Sequence, residues 1–187
     1  MNIAQKILKS IGVAAAAIGL VAASSLPAAA HVGMKADTYA AGSTAIVTFG
    51  FSHGCGESPT TALVFQIPEE FASVNPVFAP GWSIEVERED LATPIAGSHG
   101  EEITERTSIV TFTADEPIEN GIYATVSLRL PLPEDAAGES IAFPVIQECE
   151  EGETGWIEVA KDGEDADDLE SPAPVIEITE PDADNAH

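Results

Sequence analysis

The chain has 187 residues, of which 32 are Asp or Glu and only seven are Lys or Arg, and its formal net charge is −25. This charge argues against binding to nucleic acid, because few basic side chains are available to neutralise phosphates. The length suits one domain with a substantial hydrophobic core.

The first thirty residues have the features of a signal peptide. Lys6 and Lys9 precede an apolar stretch at 11–23, which is short for a membrane span. Small alanines then lead up to Ala30, where we predict cleavage. An uncleaved anchor helix is the alternative, and the small-residue site argues against it. We therefore expect a protein secreted across the cytoplasmic membrane, periplasmic or extracellular, with no membrane span in the mature chain.

The remaining chain alternates between strand-like and turn-like segments, with no sustained helical period. This pattern predicts an all-β fold, an antiparallel β-sandwich of the immunoglobulin or cupredoxin type, over residues 31–179. Residues 180–187 are predicted to be a disordered acidic tail. The predicted strands cover 43–52, 61–68, 81–89, 107–114, 121–133, 140–150, 155–160 and 173–178.

The chain contains two cysteines, Cys55 and Cys149. In an exported protein an isolated pair is expected to form a disulfide, which would close a long loop and stabilise the fold by about 4 kcal/mol. A thiolate copper site is the alternative, and an oxidising compartment disfavours it.

Cleavage after Ala30 would make His31 the first residue of the mature protein. Its α-amine and its imidazole Nδ1 can then close a chelate ring around one metal ion, and such nitrogen donors suit Cu(II) best among the divalent first-row ions. Both nitrogens must be deprotonated to bind, so affinity should fall as the pH drops. His53, beside Cys55, is either a further ligand or a turn residue, and the turn is the simpler interpretation.

Several segments resemble the YcnI-like family of exported bacterial copper-binding domains. The resemblance covers nearly all of the chain after the signal peptide, and the joint occurrence of the His53–Cys55 motif with "QECE" is typical of one subgroup. The matching segments are "AHV" (30–32), "AAGSTAIVTFGFSHGCGESPTTALVFQIPE" (40–69), "PGWSIEV" (80–86), "FPVIQECEEGETGWIEV" (143–159) and "ESPAPVIEI" (170–178).

The resemblance implies a β-sandwich that binds Cu(II) through the amine and imidazole of its mature N-terminal histidine, here His31. It also implies a tryptophan close to the metal, here Trp156, and a carboxylate ligand. The position of the family's glutamate is Thr125 in this chain, and a hydroxyl is a much weaker ligand for Cu(II). Glu148 and Glu150 are the nearest acidic alternatives by motif.

These features predict a copper-binding protein for storage, trafficking or homeostasis of copper outside the cytoplasm, with other copper-handling proteins of the cell envelope as possible partners. We expect no catalytic residues. The alternative is a metal-free extracytoplasmic interaction module that has lost the carboxylate ligand. A copper-dependent oxidative enzyme is a weaker alternative, because such enzymes need a second histidine and neither His53 nor His99 lies in a matching motif.

Overall fold

The computed structural model of the chain describes residues 31–71, 73–96, 102–161 and 163–182. The predicted signal peptide, with its cleavage site at Ala30, lies outside these residues, as do His99 and the last five residues of the predicted tail. The strands are β1 Gly33–Ala36, β2 Thr44–Phe51, β3 Thr60–Gln66, β4 Asn75–Pro76, β5 Trp82–Ala96, β6 Glu102–Ile118, β7 Ala124–Pro131, β8 Ser140–Ala142, β9 Val145–Cys149, β10 Glu153–Trp156 and β11 Val175–Glu177.

The strands form two main antiparallel sheets that enclose one core. One sheet has the order β1-β2-β7-β4 and the other the order β10-β9-β3-β6-β5, while β11 and β8 form a separate pair. Buried residues from both sheets belong to the same apolar cluster. The predicted antiparallel β-sandwich is therefore confirmed. In the described residues the one helical segment is a three-residue 3-10 turn, Ala166–Asp168, and no helix there is long and apolar enough to cross a membrane.

The period-two pattern of the sequence explains which side chains fill the core. In β2 the inward residues Val47 and Phe49 are fully buried, and they pair in register with Leu128 and Val126 of β7. Phe65 of β3 faces them from the other sheet, with its ring centroid 4.6 Å from that of Phe49. Burial of each large apolar side chain contributes about 1.5–3 kcal/mol, so this alternation is the main force that holds the two sheets together.

Several strand boundaries differ from the prediction for local reasons. β5 and β6 run well beyond 81–89 and 107–114, because their outer halves pair with each other along a hairpin. The predicted strand 155–160 ends at Trp156, since the N–H groups of Ile157 and Glu158 both turn to the Ser171 carbonyl. The short strands β1 and β4 were not predicted from the sequence.

Cys55 and Cys149 form the predicted disulfide, with their Cα atoms 6.0 Å apart. Cys149 is the last residue of β9, and Cys55 lies in the loop between β2 and β3. The Cys55 backbone N–H also donates to Cys149 Sγ at 2.9 Å. The disulfide thus ties the β2–β3 loop to the end of β9 in the second sheet.

Candidate metal centre at the start of the first strand

His31 lies two residues before the start of β1 and is partly buried. Its imidazole meets the indole of Trp156 at the end of β10, with ring centroids 5.8 Å apart and ring planes at 83°. This edge-to-face arrangement is a favourable one for two aromatic rings. The first residue of the described chain is therefore held against the edge of the second sheet.

The two ring nitrogens of His31 have different environments. Nε2 is buried and has no hydrogen-bond partner. Nδ1 makes no hydrogen bond within the described residues and is not enclosed in the same way. Nδ1 is also the nitrogen that can close a chelate ring with the α-amine of the same residue. The orientation of His31 therefore fits a metal ion bound through Nδ1 and a freed amine.

Trp156 is fixed by a buried hydrogen bond. Its side chain is only 6% exposed, and its Nε1–H donates to Oε1 of Gln147 at 2.9 Å. Gln147 Nε2 donates in turn to the His53 carbonyl at 2.6 Å and to Thr60 Oγ1 at 2.7 Å. The indole that contacts His31 is thus connected to the loop that carries the disulfide.

Gln147 was missed in the sequence analysis, although a signal for it is present. In "PVIQECE" it lies two residues after the buried Val145, so the alternation of β9 directs it inward. A polar residue at an inward position needs hydrogen-bond partners, because burial of an unpaired amide costs about 1–3 kcal/mol.

The other candidate ligands lie at the ends of β2 and β9. The imidazole of His53 is exposed, and only its backbone carbonyl joins the network. Glu148 is exposed on the face of β9 opposite to Gln147, and Glu150 is exposed just after that strand. Within the described ranges, no group of three or more His, Cys, Asp or Glu side chains is arranged to hold a metal ion.

Thr125 lies on the outer, exposed face of β7. It pairs in register with Gly50 of β2, and Gly50 pairs with Gly33 of β1. Two glycines, Gly50 of β2 and Gly33 of β1, therefore follow position 125 across the sheet, and His31 lies two residues before the second of them. The phenol of Tyr123 lies over Gly50, because a Cβ added to that glycine would collide with the tyrosine hydroxyl.

Comparison with known proteins identifies the family. Residues 31–178 match a family model described as "Domain of unknown function (DUF1775)". The chain belongs to the DUF1775 family. No curated protein matches this DUF1775 chain.

Two solved structures resemble this DUF1775 chain. An uncharacterized protein from Nocardia farcinica with an immunoglobulin-like fold is 23% identical, with a TM-score of 0.59 over 80% of this chain and 98% of that one. A putative membrane anchored protein from Corynebacterium diphtheriae is 16% identical, with a TM-score of 0.40 over 76% of this chain and 32% of that one. The first likeness supports the immunoglobulin-like sandwich.

Proposed function

We propose that this DUF1775 domain is an exported copper-binding protein of the YcnI-like type, which binds Cu(II) through the α-amine and Nδ1 of His31 once the chain is cleaved after Ala30. The observation that carries the proposal is the orientation of the imidazole. Its Nε2 is buried beside Trp156, whereas Nδ1 has no partner among the described residues. The imidazole therefore breaks no hydrogen bond at Nδ1 when a metal binds there.

The charge of the protein is consistent with this role. A strongly acidic surface raises the local concentration of cations and so favours encounter with a metal ion. The proposed location is the periplasm or the cell exterior, which agrees with a disulfide between Cys55 and Cys149. There the protein would store copper or pass it to other copper-handling proteins of the envelope.

Binding rather than catalysis is the better interpretation of this site. A two-histidine copper enzyme needs a second imidazole as a metal ligand, and the side chain of His53 is exposed to solvent just after the end of β2. Trp156 is buried, and its indole already contacts Gln147 and His31. It therefore offers no exposed face on which a sugar ring could stack.

A metal-free interaction module is the second candidate function. It is favoured by a different feature, the exposed aromatic side chains Phe78 and Tyr123, which are 84% and 70% exposed. Phe78 and Thr125 line the same cleft of about 200 Å³ beside β7. A protein that lacks a metal ligand at position 125 could use this face, with its exposed aromatic side chains, to bind a partner.

The proposal predicts that the free amine is essential. The mature protein beginning at His31 should bind Cu(II) about 100-fold more tightly than the same protein with one extra glycine in front, a difference of about 2.8 kcal/mol. Competition titration against a chelator of known affinity measures the difference, and electron paramagnetic resonance should show nitrogen hyperfine structure only for the mature protein. Equal, weak binding by both proteins would reject copper chelation and favour the interaction module.

The proposal also predicts that Thr125→Glu strengthens copper binding by about tenfold, or about 1.4 kcal/mol. A carboxylate at this position would lie beside the Tyr123 phenol that covers Gly50, on the face of the sheet that leads to β1. The matched control is Ser127→Glu, which adds the same charge to the same face of β7, two residues or about 6.8 Å farther along the strand. If both variants gain equally, the effect is general electrostatic attraction and position 125 is not the ligand position.

A further inference from the structure

Gln147 is completely buried, and its amide makes three hydrogen bonds. The orientation of this amide is defined by its partners. Two of them, the His53 carbonyl and Thr60 Oγ1, lie within 2.7 Å of Nε2. A flipped amide would place Oε1 against a carbonyl oxygen and an NH₂ group against the indole N–H, so two favourable contacts would become repulsive.

This network sets the plane of the Trp156 indole. The indole has one donor, Nε1–H, and Gln147 Oε1 is its acceptor. Since the ring is also buried among apolar side chains, this bond selects one rotation of the indole among those that the pocket would accommodate. The His31 imidazole then meets that fixed ring nearly at a right angle.

We propose that Gln147 is a positioning residue for the metal ligand His31, an inference that rests on the proposed copper-binding function. Through Trp156 it holds the imidazole with Nε2 buried and Nδ1 on the side available to the metal. Such pre-organisation strengthens binding because less rotational freedom is lost when the metal binds. Residues that orient metal ligands in this way commonly change metal affinity by about 10–100-fold.

The test uses Gln147→Met, which keeps the length of the side chain and removes all three hydrogen bonds. It is made in a Trp82→Phe background, where Trp156 is the sole tryptophan. In the metal-free protein we expect the Trp156 emission to shift to longer wavelength and acrylamide quenching to rise about twofold. In the mature protein the Cu(II) dissociation constant should rise about tenfold.

The matched control is Gln66→Met, at an exposed glutamine at the end of β3. It should leave both the emission of Trp156 and the copper affinity unchanged. Thr60→Val provides a milder variant should Gln147→Met fail to fold, because it removes only one of the acceptors of Gln147. It should shift emission and affinity in the same directions by smaller amounts, and circular dichroism checks that each variant is folded.

The outcomes separate this inference from the proposed function. If the variants at positions 147 and 60 keep the parental Trp156 emission, Gln147 does not fix the indole and the inference is overturned. If the emission shifts but the copper affinity and the electron paramagnetic resonance spectrum stay unchanged, Gln147 does not position His31 and the inference is likewise overturned. If the mature and glycine-extended proteins bind copper equally, the proposed function fails, and the inference fails with it whatever the emission shows.

Discussion

Replacing both cysteines, as Cys55→Ser with Cys149→Ser, should lower the free energy of unfolding by about 4 kcal/mol. The two residues are 94 positions apart, so the bond removes much of the conformational freedom of the unfolded chain. In the folded protein it holds the β2–β3 loop, which supplies the His53 carbonyl to Gln147. The double variant is preferable to either single one, since a remaining free thiol would itself bind copper.

Thermal unfolding followed by circular dichroism measures this effect. A loss of this size should lower the midpoint by about 10 °C in a domain of this length. The parental protein under reducing conditions is the matched comparison, and its unfolding midpoint should approach that of the variant. A midpoint within two degrees of the parent would mean that the disulfide adds little to stability. Copper affinity should fall far less than in the glycine-extended protein, because His31 keeps both of its donors.

Phe49→Ala is expected to lower the free energy of unfolding by about 3–5 kcal/mol. Phe49 is fully buried in β2, and its ring lies 4.6 Å from that of Phe65 and 5.5 Å from that of Phe143. These contacts join the first sheet to the second and to the segment before β9. Truncation therefore leaves a cavity between the two layers, which β-strands paired on both sides cannot close by a small shift.

Urea unfolding of Phe49→Ala beside Ile46→Ala tests this prediction. Ile46 belongs to the same strand, but its side chain points outward and is 41% exposed. Its truncation should cost about 1 kcal/mol or less, because little apolar surface is returned to water. Similar losses in the two variants would mean that β2 contributes through its backbone pairing rather than through the core.

The strands that were predicted well are those with one buried face. β7 alternates along its whole length and β2 alternates as far as Phe49, because outward residues there meet solvent and inward residues meet the other sheet. β1 and β4 were missed because four and two residues are too few for a period to be recognised. The outer halves of β5 and β6 pair with each other beyond the predicted ends, and their many exposed residues give no clear alternation there.

The candidate site was predictable in part. His31 and Trp156 were both singled out from the sequence, and the structure brings their rings together. Glu148 could not be judged from its proximity to Cys149, since neighbouring strand residues face opposite sides of the sheet. Gln147 is its direct neighbour and lies on the side of Trp156.

The sequence by itself determined the sandwich, the pairing of the only two cysteines, and the histidine that cleavage after Ala30 would expose. The sandwich follows from local alternation, the disulfide from the count of two cysteines, and the N-terminal histidine from the position of the cleavage site. All three can be read from the linear sequence. Only the tertiary structure decided that Nε2 of His31 is the enclosed ring nitrogen, that Gln147 fixes Trp156, and that Thr125 faces two glycines. The reason is physical: such contacts join residues far apart in sequence, and their geometry depends on strand register and side-chain rotation, which the residue order does not encode locally.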